Sequence, residues 1–208
     1  MRTANNKAAL SRRHLIMTFS ILAGAATVIG ILVKGLSLNP DMASTALVGK
    51  PAHPFRVSWL QGHEHIPDAS PSSLKLADLA DRPLILNFWA SWCVSCQSEA
   101  AVMEQFWQQH KDDGLLIVGI AVQDSAEAAA QFAHHYGKSY PLALDTDGNA
   151  SIEYGVTGVP ETFFIDRKGM IQHKVAGPVD TELLESMLPK ISGSGTEHSE
   201  AVPHSETR

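Results

Sequence analysis

Cysteine is scarce in this chain: two residues, Cys93 and Cys96, among 208. A miniprotein stapled by a framework of bridges is excluded. So is a zinc site built from cysteine alone, because two thiols supply only half of the four ligands it needs. Charged residues make up only 18%, and acids are missing from the first 38 residues, where Arg2, Lys7, Arg12, Arg13 and Lys34 stand without a counter-charge. The rest of the chain carries 11 basic against 22 acidic residues, a net of −11. A domain this acidic argues against nucleic-acid binding. Repeats of a fixed period are absent too, which excludes a solenoid. Residues 192–208 lack Leu, Ile and Phe and hold too little apolar surface to offset chain entropy, so a disordered tail is expected there.

What is present begins with a long apolar run. Leu15 to Val33 has only Thr18, Ser20 and Thr27 as polar side chains; as a helix it spans about 28 Å, close to the roughly 30 Å of a bilayer core. A cleaved signal peptide usually has a shorter apolar stretch, ending at a small-x-small site. Here the run passes into Lys34-Gly35-Leu36 instead, so residues 15–38 are expected to be a retained transmembrane anchor. The basic excess before it places residues 1–14 in the cytoplasm. Residues 39–47 then form a linker, and 48–191 a domain in an oxidising compartment.

Within the domain, the nearly continuous apolar runs 84–90 and 115–122 fit strands covered on both faces. Between them, Val102, Met103, Phe106 and Trp107 recur at helical spacing, which predicts a helix from about Ser95 to Lys111. A second helix is predicted over Ala126–Tyr136, a hairpin over Thr162–Val175 turning at Arg167-Lys168-Gly169, and a last helix over Thr181–Leu188. This order predicts an α/β fold with a mixed central sheet and helices on both faces.

The chemistry is carried by Trp92-Cys93-Val94-Ser95-Cys96, where the first long strand gives way to the first long helix. A thiol at a helix N-terminus faces unpaired amides and the positive end of the dipole, which favour the thiolate. Cys93 is therefore the candidate nucleophile, and Cys96, one turn on and more buried, the candidate resolving thiol. A structural bridge and half of a metal site are the competing readings. A four-residue loop removes little chain entropy, and His63, His65, His134 and His135 do not make a zinc spacing with the cysteines.

Phe88-Trp89-Ala90-Ser91-Trp92-Cys93-Val94-Ser95-Cys96 resembles the thioredoxin superfamily, and Gly158-Val159-Pro160 is similar to its cis-proline loop. Narrower features resemble the DsbE/CcmG branch, the membrane-tethered thiol:disulfide interchange proteins of cytochrome c biogenesis. They are Val48-Gly49-Lys50-Pro51 with Phe55, Leu86 to Cys93, Glu99 after Cys96, and Gly158 to Asp166. The resemblance spans roughly residues 48–190. It implies a thioredoxin-like fold with a cis Val159–Pro160 peptide beside the dithiol, and a substrate edge formed by Trp92, Val159 and Pro160.

It further implies a redox-active Cys93–Cys96 disulfide with no other cofactor and no metal. The activity implied is reduction of the Cys-x-x-Cys-His disulfide of apocytochrome c before haem attachment, with re-reduction by a transmembrane thiol reductant of the DsbD or CcdA type. The location implied is the periplasmic face of a bacterial inner membrane. Two departures matter: Val94 stands where many relatives have proline, and Asn87 where thioredoxins have a buried carboxylate. Glu99 and Glu161 are the acids nearest the two motifs and the candidates to replace it; as negative charges they would disfavour the Cys93 thiolate and so make a reductant. Alternatives are a related reductant for copper-site assembly in respiratory oxidases, and a noncatalytic peptide-binding or metallochaperone module.

Overall fold

The structure is a computed structural model, which describes residues 16–31 and 46–193. The chain divides into two units, one ending at Met42 and the other beginning at Ala43. In the first, residues 16–31 form a single helix with every side chain exposed, about 24 Å long at 1.5 Å per residue. Among the described residues no helix is long and apolar enough to cross a membrane. The anchor expected over 15–38 runs past this helix at both ends; residues 15 and 32–38 lie outside the described residues, as do 1–14, 39–45 and 194–208.

The second unit is built on a seven-stranded sheet in the order β2-β1-β5-β4-β3-β6-β7. The strands are β1 (Arg56–Gln61), β2 (Ser73–Lys75), β3 (Leu84–Trp89), β4 (Leu116–Val122), β5 (Leu142–Asp145), β6 (Glu161–Ile165) and β7 (Ile171–Ala176). Its helices are α1 (Val94–His110), α2 (Ala126–His135), α3 (Asn149–Glu153) and α4 (Thr181–Ser192). The three central strands β3, β4 and β5 run parallel, while β1, β2, β6 and β7 extend the sheet in antiparallel pairs. The two apolar runs read from the sequence are β3 and β4, and every residue of both is buried.

Side-chain alternation along β3 divides the core. Phe88 points to one face, where it meets Tyr154 at 5.4 Å and Phe163 at 5.7 Å between ring centroids. Asn87 points to the other and bonds Glu99 of α1. The sheet is thus covered on both faces, as expected. Packing is close where β4 passes Trp89 and β5: a Cβ on Gly119 would stand 2.6 Å from Leu142 Cδ2 and 2.9 Å from Trp89 Nε1. Gly119→Ala is therefore expected to destabilise the fold by about 1–3 kcal/mol through overpacking, read as a fall of several degrees in Tm by thermal melting.

The long helices begin where the residues predict. Ser125 caps α2 by accepting the Ala128 N–H at 3.1 Å, and Asp180 caps α4 by accepting the Leu183 N–H at 2.9 Å. Helix α4 continues through Pro189 to Ser192, beyond the expected end at Leu188, burying Ile191. Where the second unit begins, its first residues join the tip of the β6–β7 hairpin. Gly49 N–H donates to Ile171 O, Ile171 N–H to Lys50 O, and Ala52 N–H to Gly169 O, at 2.8, 2.9 and 2.8 Å.

Candidate active site

Strand β3 ends at Trp89, and within four residues the chain enters α1 with Cys93 as its N-cap. Cys93 and Cys96 are joined in a disulfide with their Cα atoms 5.3 Å apart. Cys93 Sγ accepts the Cys96 N–H at 3.1 Å and lies 3.4 Å from the Ser95 hydroxyl. These donors and the helix dipole stabilise negative charge on that sulfur when the bridge opens. Cys93 is 4% exposed and Cys96 fully buried. The sulfur expected to be accessible is thus nearly buried, while the side chains on either side of it in the chain, Trp92 and Val94, are exposed.

Cys93 faces the loop before β6. The Val159–Pro160 peptide is cis, and the Val159 carbonyl oxygen lies 3.5 Å from Cys93 Sγ. Beside it a groove of about 130 Å³ is lined by Trp92, Gln123, Val156, Gly158 and Val159, among others. Trp92 donates its Nε1–H to Gln123 O at 3.1 Å, which lays the indole along the groove. Gln123 takes a left-handed φ of 49°, unusual for a residue with a side chain. The next residue, Asp124, accepts the Ser91 N–H at 2.6 Å and the Ser91 hydroxyl at 2.8 Å, tying the loop before the dithiol to the turn after β4. Trp92 and Val159 line this one groove, Pro160 follows Val159 through the cis peptide, and Asp124 holds the loop that carries Trp92.

Glu99 lies one turn beyond Cys96 on α1, so the two occupy one helical face. It is 1% exposed. One carboxylate oxygen accepts Asn87 Nδ2–H at 2.9 Å, and the other accepts the Val179 N–H at 3.1 Å. Asn87 also donates to the Thr162 hydroxyl at 3.0 Å. Burial pushes the Glu99 carboxyl above its ordinary range, against the pull of the Asn87 and Val179 hydrogen bonds and the Lys138 charge. Asn87 thus stands where a thioredoxin has its carboxylate and presents an amide to a carboxyl group on the helix instead.

Glu161 is placed differently from the expectation. It pairs with Phe88 in the β3–β6 register, whereas Thr162 pairs with Asn87, so Glu161 points to the sheet face opposite Glu99. There its Oε2 lies 2.7 Å from Lys174 Nζ, with both side chains 3% exposed. Its Oε1 accepts the Thr157 N–H and hydroxyl, each at 3.1 Å. Glu161 braces the loop leading to Pro160, and its charge is compensated by Lys174 rather than directed at Cys96. Strand alternation forces this, since neighbours on β6 cannot share a face.

Asp124, Thr162 and Lys174 were not singled out from the sequence. Asp124-Ser125 before a helix was a capping signal that marked the turn, and the hairpin pattern was enough to bring Lys174 beside β6. No local signal marked Thr162. Among the described residues no group of three or more His, Cys, Asp or Glu side chains could hold a metal ion.

The family profile described as AhpC/TSA family matches residues 48–174. Among curated proteins, thiol:disulfide interchange protein DsbE of Allochromatium vinosum is 35% identical over 175 residues, covering 83% of this chain and 88% of its own length. DsbE of Escherichia coli K12 is 32% identical over 184 residues, covering 86% and 93%. Among solved structures, one from Chlorobium tepidum assigned as DsbE superposes with a TM-score of 0.60 at 27% identity, covering 69% of this chain and 96% of that one. A dithiol at a helix start facing a cis-proline loop, on a chain this similar to interchange proteins over most of its length, has one reading: the chain belongs to the thioredoxin-like AhpC/TSA family and, within it, to the DsbE thiol:disulfide interchange proteins, and it is a thiol–disulfide oxidoreductase.

Proposed function

We propose that this oxidoreductase works as a reductant on the Cys-x-x-Cys-His disulfide of apocytochrome c, from the periplasmic face of a bacterial inner membrane. The observation that carries the reading is the position of Cys93 Sγ between the first amides of α1 and the Val159 carbonyl. An extended substrate strand laid against that loop brings its own disulfide to the sulfur.

In the forward step Cys93 thiolate attacks the substrate disulfide, and one substrate sulfur leaves. Cys96 gives its proton to the Glu99 carboxylate and attacks Cys93 Sγ. The second substrate sulfur then leaves as a thiolate, and the protein holds the disulfide. Two electrons have passed to the substrate, so a membrane thiol reductant of the DsbD or CcdA type must return two.

The reducing direction follows from charge. A strongly stabilised thiolate makes an oxidant, as in DsbA at about −120 mV. Here Val94 and Ser95 add no positive charge, and Glu99 lies just beyond the dithiol. Glu161 no longer contributes, because Lys174 neutralises it. The tether proposed is the apolar run 15–33, which contains the described helix 16–31; confinement beside donor and acceptor raises their effective concentration without new contacts.

Trapping tests the substrate. Cys96→Ser expressed in the membrane is expected to accumulate a mixed disulfide through Cys93, with apocytochrome c as the captured protein. Capture mainly of a copper-binding oxidase subunit overturns this reading in favour of copper-site assembly, and a measured potential near that of DsbA overturns the reducing direction.

A further inference from the structure

Strand β3 is apolar except at Asn87, which is fully buried. A carboxylate can only accept, so the side-chain nitrogen of Asn87, not its oxygen, must face Glu99. One Nδ2–H goes to Glu99 Oε1 at 2.9 Å and the other to the Thr162 hydroxyl at 3.0 Å. Both donors are thereby used and the plane of the amide is fixed. Asn87 Oδ1 is left buried without a hydrogen-bond partner among the described residues. Stability alone does not select such a group, since apolar side chains of the same shape would leave nothing unpaired.

The Glu99 carboxylate is held from two sides, by Asn87 of β3 and by the Val179 N–H ahead of α4 at 3.1 Å. Thr162, at the far end of the Asn87 contact, stands two residues after Pro160 on β6. One chain of hydrogen bonds therefore runs from the strand that follows the cis-proline loop to the acid one turn beyond Cys96. The titratable groups facing that acid are few. On its own helix they are Cys96 and, further along, Glu104, which is engaged with Ser139. From the turn before β5 come Lys138 and Tyr140. Strands β3 and β6 offer only the neutral Asn87 and Thr162, and α4 offers Asp180, exposed and bonded to the Leu183 N–H.

We infer that Asn87 is a positioning residue for the resolving step: its amide, locked by Thr162, holds the Glu99 carboxylate, as acceptor of the Cys96 proton, on the α1 face those two residues share. The inference rests on the proposed role of Glu99 in that step. Burial pushes the Glu99 carboxyl up, and the Asn87 hydrogen bond is foremost among the forces that pull it back, ahead of Val179 and Lys138. Loss of that donor raises the carboxyl, and a carboxyl already protonated takes no proton from Cys96.

The full chain in detergent, reduced and mixed with the aromatic disulfide dithiobis-nitrobenzoate, separates the two exchanges by stopped flow. Attack by the Cys93 thiolate breaks the probe disulfide and releases one coloured thiolate. Cys96 then gives its proton to Glu99, attacks Cys93 Sγ and releases the second, closing Cys93–Cys96. In Asn87→Leu, close in size but without a donor, the first phase shows that the site is folded. The pH midpoint of the second is expected to move up by about one unit, so that the phase runs roughly tenfold slower on the acid side. In the Glu99→Gln background, Asn87→Leu is expected to add nothing.

A merely structural amide would lower Tm and leave the midpoint of the second phase in place; that result, or a shift that persists in Glu99→Gln, overturns the inference. Lys138 is common to every variant, so a difference between them does not come from it. Should Asn87→Leu fail to fold, NMR of the unaltered reduced chain decides. The Asn87 side-chain amide protons must titrate with the midpoint of the second phase, and must cease to do so in Glu99→Gln; amide protons that do not titrate overturn the inference. A second phase unchanged in Glu99→Gln refutes the proton acceptor itself, and absence of the first phase in the unaltered chain refutes the nucleophile and with it the proposed function.

Discussion

Cys93→Ser is expected to bring insulin reduction by the full chain, with dithiothreitol as electron source, down to the uncatalysed rate, a loss of about a thousandfold or more. The magnitude follows from the chemistry of the step. Only a thiolate attacks a disulfide at a useful rate, and a serine hydroxyl in the same place is not ionised at neutral pH. The site also offers no substitute sulfur, because Cys96 is fully buried beneath Cys93 and these are the only two cysteines in the chain. Cys96→Ser should behave differently: the first exchange survives, since Cys93 keeps the Cys96-position amide as its donor, but the product is a stable mixed disulfide. Insulin precipitation followed by turbidity reads the first variant, and mass spectrometry of the adduct reads the second. Turnover surviving in Cys93→Ser ends the assignment of the nucleophile.

Lys174→Met is expected to be the most destabilising of the single substitutions considered, by about 3–5 kcal/mol, because it strands the Glu161 carboxylate in the interior without its partner. The same pair predicts the rescue. Replacing both groups, as Glu161→Met with Lys174→Met, removes two desolvation costs along with the attraction, and should recover most of the lost stability. It should not recover the loop, because Thr157 loses its acceptor for both the N–H and the hydroxyl. A double-mutant cycle on Tm and denaturation midpoint checks the first two statements; insulin reduction by the double variant, slower than the parent at equal stability, checks the third. A single Lys174→Met variant that melts like the parent would show that water reaches the pair.

Much of this architecture was legible because β3 and β4 are buried on both faces and so read as unbroken apolar runs, and because α1 starts at a cysteine in N-cap position. The hairpin was legible from its turn residues. Strands β1, β2 and β5 were not, since three to six residues with mixed polarity carry no period; their pairing comes from register with distant partners. The helix expected over Thr181–Leu188 runs on to Ser192 in the structure, with Pro189 inside it. In the site, Cys93, Cys96 and the Val159–Pro160 loop came directly from the residues and their resemblance. Glu161 was misplaced because proximity in sequence to Pro160 says nothing of which sheet face a side chain takes.

The join between the first residues of the domain and the tip of the β6–β7 hairpin also decides the reach of the chemistry. That tip lies at the Leu84 end of β3, since Ile165 pairs with Leu84 and Ile171 with Ile165. The sulfurs follow Trp89 at the other end, about 20 Å away along a six-residue strand. Residues 49–52 and the reactive sulfurs therefore lie at opposite ends of the sheet, and a bulky client that reaches the sulfurs stays clear of the strand-like join at residues 49–52.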